Sequence, residues 1–207
     1  MVLIRHAESV GNAERRFQGQ ADFPLSPRGE RQAELVATRL LSNPPDVLYS
    51  SPLLRTHRTA EIIAGGIGLP IRPLPEVMEY HFGEVSGLTW AEIRERYPEP
   101  AAAQVAAGAP DFPRWPGEEG REPFRERVCS ALWGLEELHT DETVAVVTHG
   151  GPVLVFCLAV LGLPYRRLLP FRCDNASITR VEVKGGAGVL LTVNDTCHLR
   201  DEPRAEE

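Results

Sequence analysis

The sequence predicts an α/β sandwich built on a largely parallel sheet. Three observations carry this reading. Short apolar runs alternate with amphipathic stretches, the pattern of strands joined by crossover helices. The runs at residues 2–4 and 143–147 are continuous rather than alternating, as strands covered on both faces are. The chain has 207 residues and no internal repeat, which suits one domain over residues 1–207.

The elements follow in order. Residues 2–4 form a short buried strand that ends at Arg5-His6. Residues 11–26 lack a helical period and read as a loop punctuated by Asp22, Pro24 and Pro27. Ser26 caps the next helix, with Pro27 at its first position. Ala33, Val36, Ala37, Leu40 and Leu41 give that helix its period, and Asn43-Pro44-Pro45 ends it. Residues 46–50 are a second strand. Ser51-Pro52 opens a helix to about residue 64, stopped by Gly65-Gly66. An extended piece surrounds Ile71. Residues 89–97 make a short helix with Thr89 as cap and Glu92 in the capping-box position.

Residues 98–120 are rich in Pro, Ala and Gly and read as an excursion from the core, since regular elements resume on both sides. Phe124, Val128, Leu132, Leu135 and Leu138 then mark an amphipathic helix. Residues 143–147 are the third strand, and residues 152–161 a helix with Pro152 in its first turn. Residues 177–183 and 189–193 form a hairpin across a glycine-containing turn. The polar tail 201–207 is expected to fray.

Composition narrows the partners. Apolar residues are 43% and charged residues 25% of the chain, ordinary for a globular protein. A net charge of −7 with no run of basic residues disfavours nucleic acid and anionic membrane. The apolar run at residues 153–161 is too short to span a bilayer. Arg5 interrupts any signal-peptide core. Cys129, Cys157, Cys173 and Cys197 form no C-x-x-C pair, so reduced thiols and a cytoplasmic location are expected. Cys157 sits in an apolar run and reads as a small core residue.

In parallel sheets the chemistry gathers at the carboxyl ends of strands. Here those ends present Arg5-His6, Ser50-Ser51 with Arg55, and Thr148-His149. Arg5 and Arg55 offer planar forks suited to a phosphate dianion. One of His6 and His149 could attack phosphorus while the other donates to a non-bridging oxygen. Gly150-Gly151-Pro152 opens a helix whose free N–H groups, Gly150 included, would add anion donors. Phosphoryl transfer also needs an acid for the leaving oxygen. Glu79 is one candidate and Glu8 another, with Glu76 and Glu84 nearby in sequence.

Arg5-His6-Ala7-Glu8-Ser9-Val10-Gly11-Asn12 resembles the signature of the histidine phosphatase superfamily, the phosphoglycerate mutase-like proteins. Its usual third residue is Gly, where this chain has Ala7. Further matches follow in order: Arg16-Phe17-Gln18-Gly19, Asp22-Phe23-Pro24-Leu25-Ser26, Gly29-Glu30-Arg31-Gln32-Ala33 and Ser50-Ser51-Pro52-Leu53-Leu54-Arg55-Thr56. Then come Glu79 with Phe82-Gly83-Glu84, Thr148-His149-Gly150-Gly151, and Asn194-Asp195 with His198-Leu199, similar to the family's closing strand.

The resemblance implies a three-layer α/β/α sandwich of phosphoglycerate mutase-like type. It implies a phosphohistidine on His6, phosphoryl oxygens held by Arg5, Arg55 and His149, and further hydrogen bonds from Asn12 and Gln18. Glu79 would protonate the leaving oxygen and then activate water. No metal and no cofactor are implied.

Three readings of the site are distinguishable: a phosphatase, a phosphoglycerate mutase, and a catalytically silent phosphate-binding module. Every catalytic role has a residue, against the last. Mutases of the family carry a longer insertion and a basic pair shortly before the acid, whereas Leu74-Pro75-Glu76-Val77-Met78-Glu79 has no Arg or Lys. The expectation is a phosphatase acting on a small phosphate ester with a moderately apolar remainder. A homodimer is left open. His57, His81, His139 and His198 default to structural roles, with His81 close enough to Glu79 to line the pocket. Trp90, Trp115 and Phe112 read as packing, with Trp115 a candidate lid residue.

Overall fold

A computed structural model describes residues 1–105, 114–164 and 171–200. Along the chain run β1 (Val2–Arg5), α1 (Val10–Ala13), β2 (Arg16–Phe17), α2 (Pro27–Leu41), β3 (Val47–Ser50), α3 (Leu54–Ile67) and β4 (Ile71–Pro73). Then come β5 (Leu88–Thr89), α4 (Trp90–Arg96), α5 (Pro98–Val105), α6 (Arg121–Leu138), β6 (Val144–Thr148) and α7 (Gly150–Val160). The hairpin β7 (Ile178–Lys184) and β8 (Ala187–Asp195) follows.

The main sheet has the order β4-β3-β6-β1-β7-β8. The first four are parallel; β7 lies antiparallel beside β1, and β8 lies antiparallel beside β7 at the edge. Alternation along the strands sorts the core. Leu3, Tyr49 and Val146 face α6 and α7, while Ile4, Leu48 and Val147 face α2 and α3. Both faces are thus covered by helices, in three layers. The chain leaves β1 toward β3 over one face and leaves β6 toward β7 over the other. That reversal opens a crevice at the carboxyl ends of β1 and β6.

Outside the sheet, β2 pairs antiparallel with β5. This ribbon, α4 and α5 enclose a satellite core of Val85, Ile93, Ala101 and Trp115. Trp115 is therefore packing within this cap. Of the excursion at residues 98–120, the first eight form α5. Phe112 and the tail 201–207 lie outside the described residues.

Several boundaries differ from expectation. The loop at residues 11–26 contains α1, capped by Ser9 in a capping box with Asn12, and then β2. Gly65-Gly66 does not stop α3, which ends at Gly68 in the left-handed region (φ 75°). A Cβ on Gly66 would lie 3.1 Å from the Ala37 Cβ, so the glycine serves close packing of α3 on α2. α7 starts two residues before Pro152, which stays within the first turn, where no intrahelical N–H is needed. Gly185 and Gly186, both at positive φ, turn the β7–β8 hairpin.

Candidate active site

β3, β6 and β1 lie side by side, so their carboxyl ends bring Ser51, His149 and His6 to one edge. His6 is fixed at its backbone. Its N–H donates to Thr148 O (2.8 Å), and its carbonyl accepts from Ala176 N (3.1 Å) and Asn175 Nδ2 (3.2 Å). The ring Nδ1 lies 2.7 Å from the Ala7 carbonyl oxygen. A carbonyl only accepts, so Nδ1 carries the hydrogen and Nε2 keeps its lone pair. Burial first, and then the charges of Arg55 and Arg5, hold the proton affinity of His6 well below the ordinary histidine value. The result is a neutral, oriented imidazole with its Nε2 lone pair free of the Ala7 contact. Ala7 fits without strain: its methyl is buried in the core beside α2, and its φ is not positive.

His149 packs edge-on to His6, with ring centroids 5.1 Å apart. Its Nε2 is 2.9 Å from Ser51 Oγ. With Ser51 donating there, His149 Nδ1 becomes a donor, and it has no protein partner. Desolvation, followed by Arg55, keeps His149 neutral as well. Arg5 reaches the Cys173 carbonyl through one terminal nitrogen. Arg55 donates to Ala21 O (2.9 Å) and Gly19 O (2.6 Å). The Nε of each arginine is buried without a partner. Burial pulls Arg55 down to about 10, which leaves it cationic at neutral pH. Unpartnered buried donors are costly, and here three of them belong to the side chains grouped about His6.

Glu79 enters from the segment before the cap. Its Oε1 accepts from Tyr80 N (2.8 Å), and its Oε2 from Gly151 N (3.1 Å) at the N-terminus of α7. A Cβ on Gly151 would lie 2.1 Å from Glu79 Oε1, so only glycine admits the carboxylate. The helix N-terminus expected to bind substrate through Gly150 therefore also holds the Glu79 carboxylate, the acid candidate, through Gly151. Gly150 itself lies beside Arg5, 3.6 Å from its Cζ by an added Cβ.

Arg5, His6, Arg55 and Glu79 line a cavity of about 340 Å³ together with Asn12 and Gln18. Its outer wall adds Arg15, Arg16, Phe17 and Phe82. His149 and Gly150, expected to bind the phosphoryl group, are not in the cavity wall but pack against His6 and beside Arg5 respectively. Asn12 Oδ1 accepts from Ser9 Oγ (2.8 Å) and Asn175 Nδ2 (3.1 Å). Gln18 Oε1 lies 2.7 Å from the same Ser9 Oγ, whose single hydrogen the two amide oxygens share, and Gln18 backs onto Gly11, where a Cβ would meet it at 2.7 Å. Sequence reasoning assigned no role to Ser51, Arg15, Arg16 or Asn175. Ser51 carried the signal of a polar residue at a strand end, whereas Asn175 carried none.

The rival carboxylates are placed elsewhere. Glu8 accepts from Ser26 Oγ (2.7 Å) and pairs with Arg28 (2.9 Å). Glu84 is bound by Tyr97 Oη (2.8 Å). Neither they nor the exposed Glu76 line the cavity. His81 is likewise outside the wall, and its Nδ1 accepts from Gly83 N (3.1 Å). His57 pairs with Glu61, His139 joins Tyr49 to Glu142, and His198 meets Ala176 O. The four cysteines are free, and Cys157 is a fully buried core residue. Among the described residues, no group of three His, Cys, Asp or Glu side chains could hold a metal ion.

The model of the histidine phosphatase superfamily (branch 1) matches residues 1–196. The chain belongs to that superfamily. Phosphoserine phosphatase 1 of Hydrogenobacter thermophilus is 36% identical over 96% of this chain and 93% of its own length. A probable phosphoglycerate mutase of Escherichia fergusonii is 36% identical over 99% of this chain and 96% of its own. A mycobacterial glucosyl-3-phosphoglycerate phosphatase, solved with VO3, superposes with a TM-score of 0.80 at 28% identity. That likeness covers 95% of this chain and 98% of the other. Membership of the superfamily agrees with the fold, a mostly parallel sheet between helical layers. No described helix is long and apolar enough to cross a membrane.

Proposed function

We propose that the whole chain is one catalytic domain, a metal-independent phosphatase that hydrolyses small phosphate monoesters through a phosphohistidine on His6. One observation carries this reading. Arg5 Nε, Arg55 Nε and His149 Nδ1 are buried donors without protein partners, grouped about a neutral imidazole. Three phosphoryl oxygens would satisfy them.

In the first half-reaction, His6 Nε2 forms the P–N bond as the ester P–O bond breaks. Glu79, in its acid form, gives its proton to the departing alkoxide. Water then attacks phosphorus, gives its proton to the Glu79 carboxylate, and releases His6 with inorganic phosphate. Arg5 and Arg55 neutralise the equatorial oxygens in both steps, the role that a metal plays in other phosphoryl-transfer sites, and neutral His149 donates a hydrogen bond to those oxygens. Asn12 and Gln18, at the cavity wall, hydrogen-bond the substrate.

The wall also speaks to the rest of the substrate. Leu74–Glu79 lacks the basic residues that would hold a second anion, but Arg15 and Arg16 bring positive charge from the α1–β2 segment. Arg16 is spoken for in part by Glu14 and Glu92. The substrate class is therefore a small phosphate ester carrying a carboxylate, with its short apolar part against Phe17 and Phe82. O-phosphoserine, named for one relative, belongs to this class. The free thiols favour a cytoplasmic setting.

The test is phosphate release from O-phosphoserine, 3-phosphoglycerate and neutral alkyl phosphates, with a chelator present, comparing the wild type with His6→Ala. Release that His6→Ala abolishes supports the reading. Interconversion of 3- and 2-phosphoglycerate with little free phosphate would replace it with a mutase.

A further inference from the structure

The segment that carries Glu79 has no ladder partner. It lies between two short 3-10 turns, Pro75–Val77 and Gly83–Val85, and its backbone groups must be satisfied some other way. Side chains do it. Arg127 Nη1 donates to Glu76 O (2.6 Å) and Met78 O (3.1 Å). Thr148 Oγ1 donates to Val77 O (2.7 Å), and Gln20 Nε2 to Glu79 O (3.0 Å).

The far side of Glu79 is tied to the same group. Glu119 Oε1 accepts from His81 N (2.7 Å), and Glu119 N donates to His81 O (3.1 Å). Arg127 Nη2 holds both Glu119 oxygens, at 2.9 and 3.0 Å. One ion pair thus grips the main chain on either side of Glu79. Its own seat is firm: Arg127 comes from α6, and its guanidinium lies 5.2 Å from the Phe124 ring centroid. The pair is only about one-fifth exposed, at 23% and 19%.

We infer that Arg127, with Glu119, is a positioning residue for the acid–base Glu79. Arg127 is not in the cavity wall, and its charge has the smallest effect among those that lower the proton affinity of His149. It sets the main chain from which Glu79 reaches Tyr80 N and Gly151 N. A displacement of about 1 Å at such a group costs on the order of 10²-fold in rate.

This inference rests on the proposed phosphatase reading, and a leaving-group comparison tests it separately. Arg127→Gln should lower turnover of an alkyl phosphate on the order of 10²-fold with little change in KM. The first-turnover burst from an aryl phosphate, whose leaving oxygen needs no proton, should stay within about threefold of the wild type. In a Glu79→Gln background, Arg127→Gln should add nothing further, because it acts through a group already disabled. Equal loss on both esters, or full additivity with Glu79→Gln, would overturn the inference. Glu119→Gln carries the same test if Arg127→Gln does not fold, and its expected loss on alkyl phosphate is smaller but in the same direction. A wild type that releases no phosphate would instead sink the phosphatase reading itself.

Discussion

At His6, burial does two things at once. It removes the ring from water, and with Arg55 and Arg5 it keeps the ring unprotonated. The acid limb of kcat/KM should therefore lie below the ordinary histidine value of about 6.5. A limb at or above that value in a pH profile would contradict the assignment of a neutral nucleophile. Stability follows the same shift. Between the lowered folded value and about 6.5, the unfolded chain binds protons at His6 and His149 that the folded chain refuses. Stability should thus be full above about 6.5 and fall as pH drops through that window, as thermal melts across pH would show. Glu79→Gln should cost about 10²- to 10⁴-fold on alkyl phosphates while sparing phosphorylation by aryl esters. The two histidines and two arginines were legible as basic groups at strand ends. The spacing before Phe82-Gly83 favours Glu79 as the acid over Glu8, but the sequence does not show which distant residues claim Glu8. Ser26 and Arg28 claim Glu8.

At the scale of elements, the α1–β2 segment shapes the substrate. Arg15, at φ 55°, sits where the chain turns from α1 into β2. Arg15→Ala should raise KM for a carboxylated ester roughly tenfold or more, the worth of one charge-assisted hydrogen bond. It should leave a neutral aryl phosphate nearly unchanged, and steady-state kinetics on the two would decide it. This segment was invisible to periodicity. α1 is a single turn, and β2 pairs with β5 more than seventy residues away, at Arg16↔Thr89. By contrast, α2 and α6 declared themselves, since their buried residues recur at helical spacing over four or five turns. Gly65-Gly66 misled because Gly66 serves the close approach of α3 to Ala37 of α2, while the left-handed residue that ends the helix is Gly68.

Across the whole molecule, the sheet assembles a cationic floor inside a chain of net charge −7. Phosphate or vanadate should satisfy its unpartnered donors and stabilise the fold by mass action, about 2.7 kcal/mol at a hundred times Kd. A melting shift that Arg55→Ala does not diminish would place the anion elsewhere. The fold class and the parallel core were legible because strands buried on both faces are uninterrupted apolar runs. Strand order was not, since β6 (Val144–Thr148) inserts between β1 (Val2–Arg5) and β3 (Val47–Ser50), both far earlier in the chain.

Gly151 leaves a gap one methyl wide, and Glu79 fills it. Gly151→Ala would evict the group that activates water without touching the group that attacks phosphorus. The protein should then become a single-use acceptor, charged once by a reactive ester and unable to discharge. Intact mass after mixing with an aryl phosphate should show one lasting phosphoryl adduct per chain, and sustained turnover would rule that out. A missing carbon thus separates an enzyme from a stoichiometric reagent.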